Sequence, residues 1–105
     1  MNRYNILVIE DDKDIQELMV EFLKAKDYYV DAVSDGVKGI QKFKEKKYDL
    51  IILDIMMPNL DGFTTCKMIR NSSNIPIILL TALTDEADQM KGFELGCADY
   101  ITKPF

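Results

Sequence analysis

An open α/β fold, with a parallel sheet covered by helices on both faces, is what this chain predicts, and three observations carry it. Short apolar runs alternate with segments of helical spacing in a regular strand–helix order along 105 residues. The run Leu50 to Leu53 has no polar interruption, as expected of a strand buried on both faces. Several of these runs stop at an acid, a hydroxyl or a lysine, which places polar chemistry along one edge of the sheet.

Taken in order, Asn5 to Ile9 reads as the first strand and ends at Glu10-Asp11-Asp12. The next segment places Ile15, Leu18, Met19, Phe22 and Leu23 on the inward face of a helix. Asp11 or Asp12 can cap that helix. Three successive acids exceed what capping needs, because two unit charges ~4 Å apart repel by on the order of 4 kcal/mol at an effective dielectric of about 20. A cation would relieve the repulsion.

Tyr28 to Val33 is the second strand, and Ser34-Asp35-Gly36 turns the chain into a second helix with Val37, Ile40 and Phe43 inward. Gly39 weakens that helix by about 1 kcal/mol relative to alanine. Lys38, Lys42, Lys44, Lys46 and Lys47 give it a solvated basic face. The third strand, from Leu50, ends at Asp54, and a turn-rich loop from Met57 to Gly62 leads into a helix with Phe63, Cys66 and Ile69 on one side. Ile75 to Leu80 is the fourth strand, with Pro76 tolerated only near its start. Thr81 follows it. A fourth helix from Thr84 turns Ala87, Met90 and Phe93 or Leu95 inward and closes at Gly96, and Asp99 to Thr102 is a fifth strand before Lys103-Pro104-Phe105. The order βαβαβαβαβ implies right-handed crossovers, and a fifth helix would come next.

Composition narrows the function. The 48% hydrophobic and 30% charged content fits one globular domain, residues 1–105. A net charge of −5 argues against nucleic-acid or anionic-membrane binding by this domain. No apolar run approaches the ~18 residues of a membrane span, and the start lacks a signal-peptide pattern, so the cytoplasm is expected. Cys66 and Cys97 have no metal or disulfide spacing and read as small buried hydrophobes. There is no histidine, so any imidazole chemistry must come from a partner.

The pointed residues are therefore Glu10, Asp11, Asp54, Thr81 and Lys103. Carboxylates alone suit a hard ion such as Mg²⁺, often completed by phosphate, and a hydroxyl and an ammonium at the same crevice would donate to phosphoryl oxygens.

Five stretches in this order carry a resemblance: Ile6 to Asp12, Leu53-Asp54-Ile55-Met56-Met57-Pro58, Asp61-Gly62, Leu80-Thr81-Ala82, and Gly96 with Tyr100 to Phe105. With them the chain resembles the CheY-like receiver domain of two-component response regulators, and its ending is most similar to the OmpR/PhoB-type subfamily. The resemblance implies a flavodoxin-like sheet of order 2-1-3-4-5, cut before its fifth helix. It makes Asp54 the phospho-acceptor and Glu10, Asp11, Asp54 and the Met56 backbone carbonyl the Mg²⁺ ligands. Thr81 and Lys103 would contact the phosphoryl group, and Thr81 with Tyr100 would form the switch. It places a cis bond before Pro104, aiming Lys103 at the crevice. Met56 and Leu83 occupy positions governing water access, so slow self-dephosphorylation is expected and no other enzymatic activity.

The implied partners are a sensor histidine kinase and a DNA-binding output domain beyond this chain, in transcription regulation. Gln89 and Ala98-Asp99 depart from the subfamily's charged dimer face, and surface left bare by the missing helix would favour a homodimer or an exchanged oligomer. Two rivals are a Mg²⁺-dependent aspartate-nucleophile phosphatase, which usually carries a second Asp where Met56 stands, and a degenerate receiver that docks without phosphate.

Overall fold

The computed structural model describes residues 3–55, 61–81 and 99–102. Eight elements follow in order: β1 (Asn5–Ile9), α1 (Lys13–Ala25), β2 (Tyr29–Val33), α2 (Gly36–Glu45), β3 (Leu50–Asp54), α3 (Gly62–Arg70), β4 (Ile77–Thr81) and β5 (Asp99–Thr102). The five strands form one sheet of order β2-β1-β3-β4-β5, and every described pairing is parallel. This is the predicted flavodoxin-like arrangement, with helices on both faces.

Alternation within the strands sorts the core into two layers. Leu7, Ile9, Ile51, Leu53, Ile77 and Leu79 join Cys66 and Ile69 of α3, with Phe43 of α2 packed against them. Ile6, Val8, Ile52 and Leu80 face the other way, onto Met19 and Leu23 of α1. Cys66 is a buried thiol, as expected of a small core residue. Among the described residues no helix is long and apolar enough to cross a membrane.

Each described helix starts at an aspartate. Asp12 accepts from the N–H groups of Asp14 and Ile15, Asp35 from Lys38 and Asp61 from Thr64. These acids satisfy amides that a helix start leaves without partners.

Four expectations about helix faces and strand starts change. Leu18 and Phe22 were expected inward but are 53% and 61% exposed. Met19 and Leu23 are buried, while Gln16 and Val20 are half-buried, so the covered arc is rotated toward the Gln16 side. The reason is that α1 packs on β1 and β2, which covers one flank of its apolar stripe. Val37 is likewise 47% exposed, because α2 meets the sheet through Gly36 and Gly39, one helical step away. Gly39 is thus more than a weak point: a Cβ there would overlap Ile9 Cδ1, so the glycine permits the close approach of α2 to β1.

The strand starts move for a covalent reason at β4. Pro76 has no N–H to donate, and its carbonyl instead accepts from Ile51, so the strand begins at Ile77 rather than Ile75. β2 starts at Tyr29, one residue later than expected.

A polar group sits on the α2–α3 side of edge strand β2. The Tyr48 hydroxyl donates to Asp31 Oδ2 over 2.6 Å, and Lys46 Nζ donates to the same oxygen over 3.0 Å. The Tyr48 hydrogen bond, opposed by partial burial and aided by Lys46, holds the Asp31 carboxyl below its ordinary range. Burial, together with the negative Asp31, pushes the Tyr48 phenol above its own.

Candidate metal and phosphoryl centre

The central strands deliver the site by register. β1 and β3 pair Ile6 with Leu50 and end with Ile9 opposite Leu53, so the next residues in step are Glu10 and Asp54. Both continue the parity of Val8 and Ile52 and project to the same side of the sheet. Their burial is nearly complete, at 0% and 3% exposure. Asp11 follows at the surface.

One carboxylate oxygen from each of Glu10, Asp11 and Asp54 lies within 4.8 Å of the other two. Residues 43 or more apart in sequence therefore meet at one point, and Asp12 is occupied separately as the α1 cap. Oxygen donors of this kind and spacing fit a hard divalent cation such as Mg²⁺, while offering no nitrogen or sulfur to a softer one.

Backbone contacts hold the surrounding chain. Ile55 N donates to Leu80 O at 3.1 Å, and Gly62 N returns to Ile55 O at 2.9 Å, closing the loop after Asp54. A Cβ on Gly62 would run into the Asp54 carbonyl and the Ile55 Cα, so only glycine allows the start of α3 to approach the end of β3 this closely. The sequence marked Gly62 as a turn residue, but its backbone neighbour lies eight residues back and only the fold reveals it.

Thr81 is the last residue of β4 and Tyr100 lies on β5, paired with Leu79. β4 pairs directly with the strand of Asp54, and β5 lies one strand further out. The Met56 carbonyl, Leu83, Gln89, Cys97, Ala98, the fourth helix, Lys103 and the bond before Pro104 lie outside the described residues.

The structure also shows a residue that the sequence did not single out. Gln16 Nε2 donates to Glu10 O at 3.0 Å and to Val33 O at 3.1 Å, joining α1 to the carboxyl ends of β1 and β2. The sequence carries no signal for it, because glutamine is an ordinary helix former and the covered arc of α1 is set by the fold.

A doubly wound α/β domain with an all-carboxylate centre where β1 and β3 end is the class that this fold and site define. The chain belongs to the response regulator receiver domain family, whose model matches residues 6–105. It is 48% identical over 100 residues to the uncharacterized transcriptional regulatory protein YclJ of Bacillus subtilis, covering 95% of this chain and 44% of that protein. Transcriptional regulatory protein ResD of the same organism is 44% identical over 104 residues, covering 99% and 43%. The chain thus spans less than half the length of these curated relatives.

Solved structures agree on the fold. A two-component response regulator from Clostridium difficile superposes with a TM-score of 0.95 at 34% identity, covering 98% of this chain and 85% of that one. The BeF3-activated N-terminal receiver domain of Klebsiella pneumoniae RstA gives 0.91 at 34% identity, covering 96% and 86%.

Proposed function

We propose that residues 1–105 act as one receiver unit, a switch that takes a phosphoryl group onto Asp54 from the phosphohistidine of a sensor kinase. The observation that carries this reading is the meeting of Glu10, Asp11 and Asp54 within 4.8 Å at the carboxyl edge of the sheet. An Asp54 oxygen attacks phosphorus in line, an O–P bond forms as the N–P bond to the donor imidazole breaks, and the electron pair leaves with that nitrogen. Residues 1–105 contain no histidine, so the donor imidazole comes from outside this domain.

Glu10, Asp11 and Asp54 would hold Mg²⁺ through carboxylate oxygens, with the Met56 carbonyl as a further ligand. When bound, the ion supplies positive charge against the equatorial phosphoryl oxygens. Apolar side chains at Met56 and Leu83 would slow the attack of water on the acyl phosphate. Lys103 and the Thr81 hydroxyl donate to the phosphoryl oxygens, and inward movement of Thr81 frees space for Tyr100 to rotate. Phosphorylation then shifts the population of surfaces near β4 and β5. BeF3 activation of the RstA receiver supports a switch of this kind. In a longer cytoplasmic protein the signal would pass to a DNA-binding output domain, in keeping with the regulators YclJ and ResD.

Acetyl phosphate with Mg²⁺ tests the reading through intact mass. The chain should gain one phosphoryl group, Asp54→Ala should gain none, and the labelled form should persist for minutes or longer. A folded wild-type chain that takes no label would dismiss the proposal, and continuous release of phosphate would indicate a phosphatase instead.

A further inference from the structure

Gln16 makes contacts that the stability of α1 does not require. Both carbonyls that accept from its side chain, those of Glu10 and Val33, lie where the parallel ladder runs out. The β1–β2 pairing stops with Ile9 opposite Val33, and the β1–β3 pairing stops with Ile9 opposite Leu53. Glu10 is thus the first residue past both ladders. Its N–H still finds Val33 O at 3.0 Å, and its carbonyl is taken by Gln16. One carbonyl, that of Val33, accepts from the Glu10 main chain and from Gln16 together, so β1, β2 and α1 are tied at a single point.

That point lies at the root of the acidic turn. Asp12, two residues on, is fixed by capping α1, which leaves Glu10 and Asp11 between two anchors. A glutamate side chain has three torsions, so where its carboxylate comes to rest depends on how firmly its own main chain is held. Loss of the Gln16 contacts would leave the Glu10 carbonyl to find another partner by turning its peptide plane, which carries Asp11 with it.

We infer that Gln16 is a positioning residue for the acidic centre: its amide fixes the Glu10–Asp11 peptide so that both carboxylates converge with Asp54 on a divalent cation. The inference rests on the Mg²⁺-dependent reading above. A simple tie between helix and strands would affect melting alone, whereas a positioning role affects ion affinity.

The test is a calorimetric Mg²⁺ titration of the wild-type chain, Gln16→Met and Gln16→Arg, with melting in EDTA and acetyl phosphate labelling at varied Mg²⁺ alongside. Methionine keeps the length and removes both N–H donors; arginine restores donors at similar reach. Gln16→Met should bind Mg²⁺ about tenfold more weakly, the cost typical of removing an outer partner of a metal ligand. Its half-saturating Mg²⁺ for labelling should rise by the same factor, with little change in the rate at saturation. Gln16→Arg should recover most of the affinity.

Wild-type affinity in Gln16→Met with only a lower melting temperature overturns the inference, as does a folded Gln16→Arg that binds no better than Gln16→Met. If Gln16→Met does not fold, the side-chain amide resonances of Gln16 in the wild type decide. A shift that saturates with the calorimetric curve supports the role, and no shift overturns it. Absence of Mg²⁺ binding by the wild type removes the parent reading as well, while tight wild-type binding with an unaffected variant removes this inference alone.

Discussion

Tyr48 shows how much one hydroxyl can contribute at a half-covered edge. It donates to Asp31 over 2.6 Å, and a hydrogen bond to a charged acceptor is worth ~1.5–3 kcal/mol when well shielded. Asp31 is about a third exposed, so Tyr48→Phe should cost nearer ~1 kcal/mol, roughly 4–8 °C in melting temperature for a domain of this size. The sign of the pH dependence follows from the lowered Asp31 value. Its contribution is present above the unfolded carboxyl value of about 3.9 and is lost as pH falls through the folded value. On the alkaline side the raised phenol value means that the Tyr48 contribution is whole below about pH 10 and lost as the unfolded phenol ionises first. Melting curves of both proteins across pH should therefore converge at each extreme. At this scale the sequence displayed Glu10, Asp11 and Asp54 because each acid interrupts or follows an apolar run. Gln16 and Tyr48 were not legible in that way, since glutamine is an ordinary helix former and the partners of both are set only by the fold.

Among the elements, α2 is the one whose placement depends on a missing side chain. Gly39→Ala adds a methyl that overlaps Ile9, and crowding of a filled core typically costs ~1–3 kcal/mol, against the ~1 kcal/mol that alanine gains as a helix former. A net loss of about 1 kcal/mol is expected. Ile9→Val alone should cost ~0.5–1.5 kcal/mol, and the double variant should lose at least ~0.5 kcal/mol less than the sum because the overlapping Cδ1 is gone. Urea unfolding of the four proteins measures the coupling, and strict additivity would rule out the contact. The strands were readable from uninterrupted apolar runs, which only a sheet covered on both faces accommodates. Which arc of α1 is buried was not, because Leu18 and Phe22 satisfy helical spacing as well as Met19 and Leu23 do. The choice among them is made by where the helix lies on the sheet.

For the whole molecule, folding brings Glu10, Asp11 and Asp54 together at a cost in repulsion that an ion offsets. Mg²⁺ at 100 times its dissociation constant should add ~2.7 kcal/mol of stability, or roughly 10 °C or more in melting temperature, reversed by EDTA. Asp11→Asn should invert the order: above the wild type in EDTA, where a like charge has been removed, and below it in Mg²⁺, where a ligand has been lost. Differential scanning calorimetry of both proteins in both buffers checks the crossing, and parallel shifts without one would contradict it.

The strand order has a bearing on how the chain acquires its site. Glu10 becomes neighbour to Asp54 only once β1 has accepted β3 alongside it, after β2 and both intervening helices have been spanned. Closing so long a segment is a non-local event with an entropic cost of its own. Any nascent stretch released before residue 54 can build the first βαβ unit and still have no cation-binding centre. Capture of the ion therefore marks the moment at which the two halves of the sheet have joined.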